Sequence, residues 1–113
     1  MTSKKDIDYL KDILTSFNLI ENYLIDISKY EFITNQEKQD AIINRLMIIG
    51  EATKQISKNL RLKYSTIPWK NMAGMSDILI HRYHGIDLEI VWEVIKVELP
   101  KYKNEINNII SQL

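Results

Sequence analysis

Both histidines of the chain fall in one ten-residue stretch, Ser76-Asp77-Ile78-Leu79-Ile80-His81-Arg82-Tyr83-His84-Gly85. Asp77 and His81 stand four apart, so on a helix the carboxylate can accept from an imidazole N–H and fix its tautomer. Arg82 and Tyr83 follow directly, close to a helix end whose free carbonyls favour a protonated imidazole. An imidazole with a carboxylate orienter, beside cationic and phenolic donors, suits general acid–base work on a phosphodiester. A structural His–Asp hydrogen bond is the competing reading, and on residue types alone the commoner one. Asp77, His81 and His84 also have the i, i+4, i+7 spacing of zinc ligands on an unbroken helix. Gly85 beside His84 argues against that helix continuing, so neither a metal nor another cofactor is expected. The chain has no Gly-rich phosphate loop, Gly-x-Ser-x-Gly elbow or His-Glu-x-x-His. Having no cysteine, it also has no thiolate nucleophile and no Cys-ligated metal.

Charge supplies a second candidate feature. Fifteen basic residues balance fifteen acidic ones, so bulk charge does not mark a nucleic-acid binder. Its distribution is uneven, because between Ala52 and Ser76 there is no acid while Lys54, Lys58, Arg61, Lys63 and Lys70 are all basic. Lys54, Lys58 and Arg61 have i, i+4, i+7 spacing and would share one face of a helix. A solvated helix face is the bland reading and a phosphate-facing strip the sharper one.

These residues need elements to hold them. With 113 residues the chain allows one domain, over 1–113, and 45% apolar against 27% charged residues is a globular balance. Three Gly and two Pro are too few for the frequent turns of an all-β domain, which favours long helices. Ile7, Leu10, Ile13, Leu14, Phe17, Ile20, Leu24 and Ile27 form one stripe, predicting a helix from Ser3 to about Ser28. Thr34-Asn35-Gln36-Glu37 reads as a capping box opening a second helix to about Leu62. Its middle, Ala41 to Ala52, is apolar nearly all round, and Gly50 and Ala52 would let a neighbouring helix approach closely. Thr66 and Pro68 start a third helix, interrupted at Gly74 and ended by Gly85. Asp87 caps a fourth with Leu88, Val91, Trp92 and Ile95, and Pro100 breaks it to begin a last one with Tyr102, Ile106, Ile109 and Ile110. Trp69 and Trp92 could stack bases, but their apolar settings make them core residues. The expected architecture is all-α, an antiparallel bundle of four to five helices. No apolar run approaches a membrane span, and the amphipathic N-terminus lacks a signal core, so a cytoplasmic location is expected.

Taken in order, Asp8-Tyr9-Leu10-x-Asp12-Ile13-Leu14, Ile49-Gly50-Glu51-Ala52, Ile67-Pro68-Trp69, Met72-Ala73-Gly74-Met75, Leu79-Ile80-His81-x-Tyr83 and Val91-Trp92 resemble the HepT-like proteins. These belong to the HEPN superfamily and are the ribonuclease-toxin half of HEPN/MNT toxin–antitoxin systems. The resemblance implies a homodimer with paired sites in a cleft between protomers and metal-independent RNA cleavage by an Arg-x4-His-x-Tyr motif. It also implies a minimal nucleotidyltransferase (MNT) antitoxin that silences the toxin by AMPylating the motif tyrosine. Carried onto this chain, the histidine is His81, the tyrosine Tyr83, the Asn/Asp position Asp77, and the arginine position falls on Ser76. Serine offers a hydroxyl and no charge where a guanidinium would offset the charge gathering on the phosphate oxygens. Two accounts of Ser76 stand: a natural residue in a protein that is inactive or uses another cation, or an inactivating change selected during cloning. Arg82 projects about 100° away from His81 around a helix and is a poor substitute. The resemblance also shifts Lys54, Lys58, Arg61 and Arg82 towards RNA binding. A non-catalytic bundle that holds and regulates a nucleotidyltransferase is the alternative function.

Overall fold

The computed structural model describes residues 4–81, 85 and 87–113, with the side chains at 4 and 78–81 outside the description. The first apolar stripe winds into α1 (Lys4–Tyr23), which buries Leu10, Ile13, Phe17 and Ile20. It stops short of Ser28: Asp26 takes a positive φ of 58°, a left-handed conformation that Asp tolerates better than most residues. Ser28 then caps a short α2 (Lys29–Thr34), its hydroxyl oxygen accepting from the Glu31 N–H.

Next comes α3 (Gln36–Gln55), which starts one residue later than the Thr34 box predicts. Asn35 is the cap, accepting from the Lys38 N–H at 3.0 Å, while the Thr34 hydroxyl donates back to Tyr30 O at 2.8 Å. Thr34 is the last residue of α2 and so is not free to cap α3. The helix expected to reach Leu62 also divides. Ile56 leaves the helical conformation, and Ser57 caps a separate α4 (Lys58–Lys63) by accepting from the Leu60 N–H. Asp6, 2% exposed, holds that break from across the molecule. It accepts from the Ser57 N–H at 2.8 Å and from the Ser57 hydroxyl at 2.6 Å.

Helix α5 (Trp69–His81) runs uninterrupted through Gly74. Asp87 caps α6 (Leu88–Glu93) as expected, accepting from the Glu89 and Ile90 N–H groups. Pro100 does not interrupt the chain's helical path. The backbone stays helical through a π turn (Val94–Glu98) and on into α7 (Leu99–Gln112). In an α-helix the proline ring would collide with the carbonyl four residues back. The wider turn, in which the Leu99 N–H donates to Val94 O, eases that clash.

The regular secondary structure of the described residues is all helical, with no strand among them. Helix α3 lies at the centre, packed along α1 on one side and α5 on the other. Asp6 at the start of α1 meets Ser57 just past α3, so these two run antiparallel; the Lys103–Glu21 ion pair makes α7 antiparallel to α1. Ile42, Leu46, Ile49, Met72, Ile106 and Ile109 join the α1 residues in one apolar core. No described helix is long and apolar enough to cross a membrane.

Candidate active-site helix and basic groove

Gly50 sets how α5 sits on α3. A Cβ built there would lie 2.5 Å from Ser76 N and 2.8 Å from Ser76 Cβ, so the helices approach to a distance only glycine permits. Gly50 therefore does what its place in the sequence implied. Ser76 is fully buried in this seam, and its hydroxyl donates weakly to Ala73 O at 3.3 Å. It contributes neither charge nor an exposed donor.

Asp77, the next residue, faces outward and receives the Lys54 ammonium at 2.6 Å. Lys54 lies also within 3.6 Å of Glu51. The hydrogen bond Lys54 donates to Asp77 outweighs desolvation and raises the Lys54 pKa above the ordinary lysine value. Lys54 is thus a cation paired across α3 and α5, one helical turn from Gly50. His81 closes α5, but its imidazole lies outside the described residues, as do Arg82, Tyr83 and His84. The Asp77–His81 pairing, the Asp77–His81–His84 zinc arrangement and the roles of Arg82 and Tyr83 all fall there. Among the described residues no cluster of three or more potential metal ligands occurs.

The basic strip takes a different form from a single helix face. Lys54 belongs to α3 whereas Lys58 and Arg61 belong to α4, because the chain turns at Ile56 and Ser57. That turn brings the two α4 cations to a groove of about 690 Å³ that they share with Leu62, Trp69, Lys70, Ala73, Gly74 and Asp77. No described carboxylate forms an ion pair with Lys58, Arg61 or Lys70, and Arg61 Nε is buried without an acceptor among the described residues. Lys70 is the cation that helical spacing misses, and the acid-free stretch from Ala52 to Ser76 was the signal that contained it. Trp69 is a core residue, 7% exposed, with Nε1 donating to Tyr64 O at 3.0 Å. Trp92 packs at a tilt on Phe32, ring centres 5.6 Å apart.

The chemistry of this surface is visible without the imidazole: three cations uncompensated among the described residues attract phosphate, and the groove's wall is the helix that carries His81. A family model described as Ribonuclease HepT-like matches residues 13–109. A protein of Methanocaldococcus jannaschii named a putative RNase is 46% identical over 111 residues, covering 97% of this chain and 96% of its own length. A gamma-glutamylcyclotransferase and putative RNase of the same organism is 48% identical over 97% of this chain, which spans 50% of that relative's length. A probable ribonuclease HepT of Thermococcus cleftensis is 37% identical over 90% of this chain and 93% of its own. No solved structure matches the chain.

Proposed function

We propose, from the premise that this chain belongs to the HepT-like ribonuclease family, that it is the toxin subunit of a HEPN/MNT pair. It is a metal-independent endoribonuclease whose activity is impaired by Ser76 at the motif arginine position, and it acts as a cytoplasmic homodimer whose two His81 imidazoles face a shared cleft. His81 takes and returns the proton of the reacting hydroxyls, and Asp77 orients it or supplies a polar partner. Lys58, Arg61 and Arg82 bind the RNA backbone, with Lys54 at the edge of the site. Tyr83 is the residue that a nucleotidyltransferase partner AMPylates. The observation that carries the reading is the position of His81 at the end of the helix whose flank forms the basic groove.

The test is RNA cleavage with chelator present, comparing the chain with His81→Ala. Losing the acid–base group is expected to cost about 10²–10⁴ in rate. Equal and measurable rates would remove His81 from the mechanism, no cleavage by either chain would favour the non-catalytic subunit, and cleavage abolished by the chelator would replace this reading with a metal-dependent hydrolase. A second assay addresses Tyr83: with ATP and the cognate nucleotidyltransferase, Tyr83→Phe is expected to take up no adenylate. Full labelling of that variant would move the modification elsewhere.

One observation favours the alternative, a non-catalytic subunit that holds and regulates the nucleotidyltransferase. Ser76 is sealed in the α3–α5 seam and puts no cation where the family motif has one. That reading predicts partner binding without RNA cleavage.

A further inference from the structure

Gly74 sits in the middle of α5, where glycine is a poor helix former. Unlike Gly50, it has nothing within 4 Å of the position a Cβ would take, so no packing neighbour among the described residues requires it. Its open side faces the groove lined by Lys58, Arg61 and Lys70. A glycine kept at a cost to the helix, with empty space beside it and uncompensated cations around it, marks backbone left bare for a ligand to approach. Asp77 is the one acid among the described residues that line the groove, and Lys54 neutralises it at 2.6 Å.

We infer that this groove holds a segment of single-stranded RNA beside the bond to be cut, its phosphates on Lys58, Arg61 and Lys70 and its sugars or bases against the bare face at Gly74. The assignment rests on the nuclease reading and adds to it a binding subsite, with Lys70 and Gly74 as its new members. At about 690 Å³ the groove falls in the range of ligand sites, roughly 300–1,000 Å³, which suits a few nucleotides of one strand. Gly74 precedes His81 by seven residues on one helix, about 10 Å along its axis, so a strand that follows the helix from the groove reaches the end where His81 stands. That continuity favours RNA over an acidic protein segment as the occupant.

The experiment measures binding of a fully 2′-O-methylated oligoribonucleotide, which cannot be cleaved, across a series of salt concentrations. Lys58→Gln with Lys70→Gln is expected to reduce the slope of log K against log salt by about 1.4, at about 0.7 per phosphate contact on a single strand. Gly74→Leu is expected to bind at least tenfold more weakly yet to melt about 3–6 °C higher, because leucine is the better helix former. An unchanged slope in the double variant, or full affinity in Gly74→Leu, overturns the assignment. So does a lower melting temperature in Gly74→Leu and Gly74→Ala alike, which would make Gly74 a packing residue. Polyglutamate binding more tightly than the oligonucleotide, through the same lysines, would give the groove to an acidic protein partner. The nuclease reading is scored separately by the His81→Ala cleavage assay, so either can fail alone.

Discussion

Ser76→Arg is expected to raise the rate of RNA cleavage by about 10²–10³-fold over the parent chain, the range lost when one preorganised donor is removed from an enzyme site. The serine hydroxyl is spent on Ala73 O inside the seam and reaches no substrate. An arginine stem from the same Cα would have to leave that buried position before its guanidinium could meet a phosphate. Its chain neighbour Asp77 is already paired with the Lys54 ammonium, which also lies near Glu51. The new cation would therefore compete with Lys54 for Asp77, and part of the gain would be offset by like-charge repulsion. Initial rates on a fluorogenic RNA with chelator present would measure it, and Ser76→Arg with His81→Ala should fall back to background. A folded Ser76→Arg chain that cleaves nothing would favour the regulatory subunit.

Gly50→Ala is expected to destabilise the fold by about 2 kcal/mol, within the range for overpacked cores. A methyl group there lands 2.5 Å from a backbone nitrogen of α5, which cannot swing aside as a flexible side chain would. Overpacking of this kind costs typically about 1–3 kcal/mol and more when backbone must shift, against which alanine returns about 0.5–1 kcal/mol of helix propensity. Thermal unfolding should show Tm lowered by roughly 8 °C. The same substitution at Gly74 should raise Tm, since nothing there opposes the added methyl. Two glycines on packed helices thus give opposite signs, and a Tm unchanged in Gly50→Ala would contradict the close seam.

The sequence was most legible where periodicity was long. The stripe from Ile7 to Ile20, the buried middle of α3 and the Asp87 cap all read correctly, because each is decided by residues close in the chain. It was least legible where a distant residue decides. Between Ile56 and Leu62 the one local sign of a break is Ser57, a capping residue type, and the carboxylate that holds it there belongs to Asp6, 51 residues earlier. Missing that break, helical spacing put Lys54, Lys58 and Arg61 on one face, and the true groove needed α5 to complete it. The six residues of α2 are too few to show a period, and their loss misplaced the α3 cap onto Thr34. For the site, residue types pointed to Asp77 and His81, and the family resemblance to Ser76. Only packing reveals that Ser76 is enclosed and that Asp77 is held by Lys54.

The π turn ahead of Pro100 has a consequence for how this chain can change length. A π turn is one surplus residue absorbed by an α-helix, leaving the faces on either side oriented as if that residue were absent. Deleting a single position between Val94 and Glu98 would therefore keep α6 and α7 in phase with their neighbours. It would also bring the pyrrolidine against a tightly wound carbonyl, a penalty of about 3 kcal/mol. The deletion becomes harmless only when Pro100 is replaced as well, so the surplus residue and the imino acid can be lost together but not separately.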